Sequence, residues 1–264
     1  MLQIKDLKKI FNRGTVNEKV ALTGVNFTLN PGDFVTVIGG NGAGKSTRLN
    51  CVAGVYPVDE GHIFLDGHEV TKLPEHRRAK HLGRVFQDPM MGTAADMNIE
   101  ENLALAYRRG QRRTLKWGVT AAERVKYKEL LQQLDLGLES RMTDKVGLLS
   151  GGQRQALTLL MATLQAPKLL LLDEHTAALD PKTAAKVLDL TQKLVEENKL
   201  TTLMVTHNMQ DAIRLGNRLI MMHEGNIAVE ISGEEKKNLD KSDLIALFEK
   251  ASGGKLESDR LLLS

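Results

Sequence analysis

The sequence has little of several features that mark other classes of protein. Its one cysteine, Cys51, excludes an internal disulfide and fits a reducing compartment. Aromatic residues make up 4% of the chain, which gives little support to base-stacking surfaces for nucleic acid. No apolar run reaches the roughly 18 residues that predict a membrane span, and residues 1–5 lead into a strand-like segment rather than a signal peptide. The net charge of +3 is too weak to indicate a polyanionic partner.

The residues that are present suit a globular protein with a sizeable core, since 42% of the 264 are hydrophobic and 26% are charged. Near the N-terminus, an apolar run at residues 34–38 precedes a Gly-rich turn and then a helical stretch. This stretch matches the phosphate-binding pattern G-x-x-x-x-G-K-[ST] in the expected strand–loop–helix context. Its residues are Gly39, Gly40, Asn41, Gly42, Ala43, Gly44, Lys45, Ser46 and Thr47.

Each residue type in this loop has a physical purpose. The glycines let backbone N–H groups curl closely around a polyphosphate, and the helix that begins near Lys45 directs its free N–H groups at the anion. Lys45 adds a point charge for the β- and γ-phosphates, and the Ser46 hydroxyl is placed to ligate Mg²⁺. The loop therefore predicts a nucleotide site that binds ATP or a related triphosphate with Mg²⁺.

The order of strand and helix signals predicts an α/β fold with an inserted helical part. Short strands and turns occupy the first 87 residues, and strand signals disappear between Asp88 and Leu148, where helical patterns take over. A continuous apolar run at Leu169–Leu172 then suits a parallel strand buried on both faces. We expect a core of residues 1–87 and 149–232, a helical subdomain at 88–148, and a C-terminal helix with a flexible tail at 233–264.

Two adjacent acids follow the buried Leu169–Leu172 run. A nucleotide hydrolase needs an acid to hold Mg²⁺ and a group to activate water. Asp173 ends the predicted strand and fits the metal-side acid, and Glu174 fits the general base for the attacking water.

A second phosphate-binding pattern occurs at Leu149-Ser150-Gly151-Gly152-Gln153. A serine hydroxyl and glycine N–H groups at a helix N-terminus form an anion site by themselves. This pattern resembles the signature motif of ATP-binding cassette (ABC) ATPases. The resemblance implies a P-loop NTPase core of mixed parallel sheet with an N-terminal antiparallel β subdomain. It also implies a head-to-tail dimer, in which each signature motif covers the γ-phosphate in the partner's P-loop.

Other landmarks of the ABC family occur in order, and their roles are implied by that resemblance. Phe11 lies where an adenine-stacking aromatic is expected, and Gln87 resembles the Q-loop glutamine that senses Mg²⁺ and the γ-phosphate. Asp180 ends a stretch resembling the D-loop, and His207 matches the switch histidine that positions Glu174. The implied catalytic residues are thus Glu174, His207 and Gln87, and the implied metal ligands are Ser46, Gln87 and Asp173.

The sequence departs from the family pattern at two positions. His175 stands where proline is usual, which changes the stiffness of the turn and adds a titratable group near the γ-phosphate. Arg48 stands where an apolar residue is usual, one helical turn beyond Lys45. We expect Arg48 to be partly buried, and a buried charge needs a partner.

A single cassette with a short helical insert resembles the ATPase subunit of a bacterial ABC importer for amino acids or similar small solutes. The resemblance implies a second copy of the chain, separate membrane permease subunits that contact the helical subdomain and Q-loop, and indirectly an extracytoplasmic substrate-binding protein. It places the chain at the cytoplasmic face of the cell membrane. Two alternatives remain open: an ATPase for export or lipoprotein release, and a non-transport ABC ATPase acting on nucleic acid or ribosomes. For the latter, Arg77, Arg78, Lys80 and the basic loop at 108–116 would be the footprint, although no nucleic-acid partner is expected.

Overall fold

The computed structural model describes residues 1–111 and 118–251, which form two compact units. Unit 1 comprises residues 1–78 and the described residues from 199 onward, and unit 2 comprises residues 79–198. Most of the basic loop singled out in the sequence, with Trp117, lies outside the described residues, as does the predicted C-terminal tail beyond residue 251.

The described chain contains both strands and helices. The strands are β1 Leu2–Phe11, β2 Lys19–Leu29, β3 Phe34–Gly39, β4 Glu60–Leu65, β5 His68–Glu69, β6 Leu82–Val85, β7 Leu169–Asp173, β8 Thr201–Val205, β9 Arg218–His223 and β10 Asn226–Ser232. The α-helices are α1 Lys45–Ala53, α2 Glu75–Arg78, α3 Ile99–Tyr107, α4 Ala121–Gln132, α5 Gly151–Thr163, α6 Pro181–Glu197, α7 Met209–Arg214, α8 Gly233–Lys237 and α9 Lys241–Ala251. Short 3₁₀ turns cover Leu138–Ser140 and Val146–Leu148.

Unit 1 contains an antiparallel sheet and a mainly parallel set of strands. The antiparallel sheet has the order β2-β1-β4-β5, which confirms the predicted N-terminal β subdomain. In the second set, β3 pairs in parallel with both β8 and β9, and β10 pairs antiparallel with β9. All six residues of β3 are buried, as expected for the central strand of a sheet covered on both faces. This strand carries the phosphate loop at its C-terminal end.

Strand β1 begins in the strand-like opening of the chain and continues to Phe11. Its pairing with β2 shifts register between Ile4 and Leu7, and Asp6 has a left-handed φ of 48°. A β-bulge of this kind interrupts the alternation of buried and exposed side chains, so the sequence pattern ends early. The pairing resumes beyond the bulge and carries the strand to Phe11.

Unit 2 consists of the parallel pair β6–β7 and a helical part with its own core. Leu103, Tyr127, Leu131 and Leu157 are fully buried in this core, which joins α3, α4 and α5. A capping box opens α4, because the Thr120 hydroxyl accepts a hydrogen bond from the Glu123 N–H. Val125 in this helix is 61% exposed.

Arg48 lies in α1 and is more deeply buried than expected, with no exposed surface. Its guanidinium carbon lies 4.9 Å from the centroid of the Phe27 ring, and none of its side-chain nitrogens has a hydrogen-bond partner among the described residues. Burial lowers the pKa of Arg48 to about 10, although the charge of Glu230 opposes this shift. The guanidinium is therefore charged at neutral pH, and its neighbour in the core is the aromatic face of Phe27.

We expect the Arg48→Leu variant to be more stable than the wild type. Replacing a buried, poorly partnered charge by an apolar side chain is often neutral or stabilising, by up to about 4 kcal/mol. Each kcal/mol gained raises Tm by about 2–4 °C in a chain of this size. Nucleotide affinity should stay similar, because the backbone hydrogen bond from the Arg48 N–H to the Gly44 carbonyl does not involve the side chain. Thermal unfolding and nucleotide titration measure these quantities.

Arg218 provides a matched control for this prediction. Its guanidinium carbon lies 5.6 Å from the same Phe27 ring, but its nitrogens pair with Asp33 at 2.6 Å and also with Glu230. Arg218→Leu should therefore lower Tm, since it leaves two carboxylates without their partner. A lower Tm for Arg48→Leu would contradict the prediction.

Candidate nucleotide site

The phosphate loop follows β3 in unit 1 and has the close backbone packing that its glycines predict. Gly39, Gly42 and Gly44 have positive φ angles of 146°, 79° and 96°. A Cβ atom on Gly39 would lie 2.2 Å from the Met222 carbonyl oxygen, and one on Gly44 would lie 2.6 Å from the Ala21 oxygen. The positions of Gly39 and Gly44 therefore require glycine, because another residue would be strained at these φ angles and its Cβ atom would clash with backbone oxygen.

Lys45 and the first turn of α1 supply the positive charge of the loop. The Lys45 ammonium is buried and donates hydrogen bonds to the carbonyl oxygens of Gly39 at 2.6 Å and Gly40 at 3.0 Å. Gly44 is the N-cap of α1 and has no side chain to cap its N–H groups. The helix N-terminus thus presents backbone donors that suit an anion. Ser46 and Thr47 are half-buried in this turn, whereas Asn41 is exposed.

Two further predicted residues of the site belong to unit 1. His207 follows β8, the parallel neighbour of β3, so its backbone lies at the same sheet edge as the phosphate loop. Phe11 ends β1 and is half-buried. The Tyr56 ring contacts Phe11 edge-on at 5.3 Å between centroids, and the Lys9 ammonium lies 5.4 Å from the Phe11 centroid. The Phe11 ring therefore packs against one aromatic ring and lies close to one cation.

Gln87 and Asp173 belong to unit 2, where they lie at the C-terminal ends of two paired parallel strands. Gln87 follows β6 and is exposed, and Asp173 ends β7, the parallel neighbour of β6. An Asp173 carboxylate oxygen lies 3.9 Å from Arg84 Nη2. The side chains of Gln87 and Asp173 offer oxygen donors of the kind that Mg²⁺ accepts.

Glu174 and His175 form the start of the turn after β7. Glu174 has a left-handed φ of 48°, which is uncommon for a residue other than glycine. His175 is 1% exposed, and its Nε2 atom lies 3.0 Å from Thr191 Oγ1 on α6. Burial lowers the pKa of His175 to about 4, so the ring is neutral near pH 7. The expectation of a titratable group near the γ-phosphate is therefore wrong, because this side chain is buried against α6.

The signature residues cap helix α5. The Ser150 hydroxyl accepts a hydrogen bond from the Gln153 N–H at 3.3 Å, and the Gln153 side-chain oxygen accepts one from the Ser150 N–H at 3.2 Å. The N–H groups of Gly151 and Gly152 lie between them in the first helical turn, where α-helices have no internal acceptors. A Cβ on Gly152 would lie 2.1 Å from Thr183 Cγ2, so this glycine is required for packing against α6.

Asp180 caps α6 beside the signature motif. Its carboxylate accepts a hydrogen bond from the Thr183 N–H at 3.1 Å, and hydrogen bonds from Thr183 lower the pKa of Asp180. Leu179 lies near Gly151, since a Cβ on that glycine would meet Leu179 Cδ2 at 3.4 Å. The predicted D-loop and signature motif are thus packed together within unit 2.

Sequence reasoning missed two residues that support these motifs. Arg154 is buried, and its Nη2 atom donates to the carbonyl oxygens of Val146 at 3.1 Å and Gly147 at 3.0 Å, just before the signature serine. Gln155 is fully buried and donates from Nε2 to the Phe86 carbonyl oxygen at 3.0 Å, next to Gln87. Both follow the signature motif directly, but nothing in the sequence shows which backbone groups they contact.

A glycine loop between a buried strand and a helix, with two acids at the end of another buried strand, defines a P-loop nucleotide hydrolase. The model of the ABC transporter family matches residues 22–177, more than half of the chain. A tyrosine transport ATP-binding protein from Clostridioides difficile (strain R20291) is 43% identical over 251 residues, which cover 95% of this chain and 100% of that protein. The chain belongs to the ABC transporter family, and it is an ATPase of the ATP-binding cassette type.

Other relatives are longer than this chain. A spermidine/putrescine import ATP-binding protein from Haemophilus influenzae is 32% identical over 89% of this chain, and a methionine import ATP-binding protein from Brucella abortus is 33% identical over 87%. The chain spans 59% of the length of each of these two proteins.

Solved cassettes share the fold. A dimeric cassette in a post-hydrolysis state bound to ADP and Pi has a TM-score of 0.75 and 30% identity, covering 88% of this chain and 98% of that one. A cassette in its ADP conformation has a TM-score of 0.76 and 27% identity, covering 94% and 98%. These likenesses confirm the predicted α/β cassette fold. Across residues 1–111 and 118–251, no helix has the length and hydropathy that a bilayer crossing requires.

Proposed function

We propose that this chain is the ATP-hydrolysing subunit of an importer for an amino acid or a similar small solute. The observation that carries this proposal is the presence of two separate helix N-termini that suit phosphate, one after the glycine loop of unit 1 and one at α5 in unit 2. The relatives named for methionine and spermidine/putrescine support import, and the relative named for tyrosine supports an amino acid.

In this proposal, the P-loop residues 39–47 bind the phosphates of ATP, and Phe11 stacks on the adenine. The buried Lys45 ammonium lies against the loop carbonyls, which supports its role as the cation for the β- and γ-phosphates. Ser46, Asp173 and Gln87 would hold Mg²⁺ through their oxygen atoms, which are the ligands that it prefers. When bound, the metal neutralises phosphate charge.

Hydrolysis then depends on groups that follow the strand ends. The Glu174 carboxylate accepts a proton from water as the water oxygen bonds to the γ-phosphorus, while the bond to the β-phosphate oxygen breaks. The products are ADP and inorganic phosphate. The His207 side chain donates to the γ-phosphate and orients Glu174.

The signature residues Ser150–Gln153 act on the nucleotide of a second copy. Their hydroxyl and glycine N–H groups bind the γ-phosphate held by the partner's P-loop, and Asp180 lies at the same interface. This arrangement is supported by the relatives that form dimeric cassettes. Two ATP molecules would then hold the dimer closed, and hydrolysis would release it.

Separate membrane permease subunits complete the transporter and bind the helical subdomain at 88–148. Three exposed apolar side chains within or at the edge of this range suit such a contact: Met90 at 49%, Met91 at 68% and Leu148 at 70% exposure. The chain would then work at the cytoplasmic face of the membrane, with an extracytoplasmic binding protein delivering the solute.

Solute uptake by cells tests this function. We expect cells whose only copy of this ATPase is the wild-type chain to take up labelled tyrosine or methionine. Cells that carry Lys45→Ala should lose this uptake, because the variant lacks the cation of the P-loop. Labelled spermidine serves as a control for solute class.

The alternatives give different results in the same experiment. Uptake of spermidine but of neither amino acid would contradict the solute class. Loss of efflux without loss of uptake would contradict import and favour the export alternative. Lys199→Ala, an exposed lysine that follows α6, is a matched control that should leave uptake unchanged.

A further inference from the structure

The turn that carries Glu174 is anchored by the side chain of the next residue. Thr191 Oγ1 has one proton and donates it to the Val187 carbonyl oxygen at 2.7 Å. The contact of 3.0 Å between Thr191 Oγ1 and His175 Nε2 is therefore a hydrogen bond in which the imidazole donates. This assigns the tautomer, with the proton on Nε2 and none on Nδ1.

Burial of the imidazole leaves one of its ring nitrogens without a hydrogen bond from the part of the chain that the structure describes, which is unfavourable for the free energy of folding. His175 Nδ1 is buried and has no hydrogen-bond partner among the described residues. An unsatisfied buried acceptor is unfavourable, and an apolar side chain of similar volume would avoid it. Histidine forms a hydrogen bond from Nε2 to Thr191 Oγ1, and a hydrocarbon side chain cannot form this bond.

The backbone beside His175 needs such an anchor. Glu174 has a φ of 48°, and a residue in this region persists only where its surroundings fix it. On one side, the buried strand β7 holds the chain. On the other side, the Ala177 N–H donates to the Glu174 carbonyl oxygen at 2.9 Å, and the His175 side chain is fixed on α6. Both ends of the strained residue are therefore held.

We propose that His175 is a positioning residue, whose hydrogen bond to Thr191 on α6 holds the turn that places the Glu174 carboxylate for attack by water. This inference rests on the proposed role of Glu174 as general base. The His175 side chain is buried against α6, and in this proposal it acts only through its neighbour.

The test compares steady-state ATP hydrolysis by variants of the full chain. His175→Ala should lower kcat by about tenfold to a hundredfold, the cost of a misplaced catalytic group, with KM for ATP changed by less than about twofold. His175→Gln should restore most of the turnover, because its amide nitrogen reaches the position of Nε2. His175→Asn should not, because its amide nitrogen reaches only the position of Nδ1.

Variants of Thr191 test the acceptor of the His175 hydrogen bond, and a variant of Thr163 is the matched control. Thr191→Val should match His175→Ala, and Thr191→Ser should match the wild type. Thr163 is also buried in a helix of unit 2, and its hydroxyl donates to the Leu159 carbonyl oxygen at 3.0 Å, but it anchors no turn. Thr163→Val should therefore leave kcat unchanged.

The outcomes separate this inference from the proposed function. If His175→Ala keeps the wild-type kcat, or if Asn rescues as well as Gln, the positioning role is overturned. In the Glu174→Gln background, adding His175→Ala should cause no further loss, and a further tenfold loss would also overturn it. If Glu174→Gln itself retains turnover, the proposed general base fails instead.

Discussion

Glu174→Gln is expected to bind ATP normally but to hydrolyse it about a hundredfold to ten-thousandfold more slowly, the usual contribution of a general base. Glutamine keeps the size of the side chain but does not accept the proton of the attacking water. The ATP-bound dimer should then accumulate, since hydrolysis is the step that opens it. Phosphate release measures the rate, and light scattering after gel filtration with ATP and Mg²⁺ measures the dimer.

Glu197 is a matched control, because it is an exposed glutamate at the end of α6. Glu197→Gln should leave both turnover and the monomer–dimer equilibrium unchanged. Near-normal turnover of Glu174→Gln would remove Glu174 as the general base and leave the water to be activated by another group. A slow variant that stays monomeric with ATP would instead contradict the role of ATP in closing the dimer.

Ser150→Arg is expected to abolish both dimerisation and turnover while leaving ATP binding to the P-loop intact. The arginine side chain would fill the space in which the hydroxyl and glycine N–H groups at the start of α5 meet the partner's nucleotide. ATP binding survives because the P-loop and its lysine lie in unit 1, on the other part of the chain. Nucleotide titration, gel filtration with ATP and phosphate release measure the three quantities.

A second variant separates this effect from the loss of a helix cap. Ser150 is the N-cap of α5, so replacing it by arginine also costs about 0.5–2 kcal/mol of stability. Ser150→Asp keeps a good cap but places a negative charge against the phosphate. It should preserve Tm and still abolish dimerisation. Ser140→Arg, at an exposed serine of unit 2, should change neither property. Full turnover by a monomeric Ser150→Arg chain would overturn the head-to-tail arrangement.

The sequence alone predicted the parts of this protein that depend on neighbours along the chain. The glycine loop before Lys45 and the helix N-terminus at Ser150 are local patterns, and the structure forms them where they were expected. Backbone conformation and helix capping involve residues within about four positions of each other, so a short stretch of sequence specifies them.

The tertiary structure determined the environments of Arg48 and His175, the two residues that depart from the family pattern. Arg48 of helix α1 meets the ring of Phe27 on β2, and His175 meets Thr191, 16 residues away on α6. The sequence identified both residues as unusual but predicted a titrating His175 and a partly buried Arg48. Those environments depend on which distant side chains the fold brings together, because burial and hydrogen-bond partners, unlike a helix cap, are set by packing between elements.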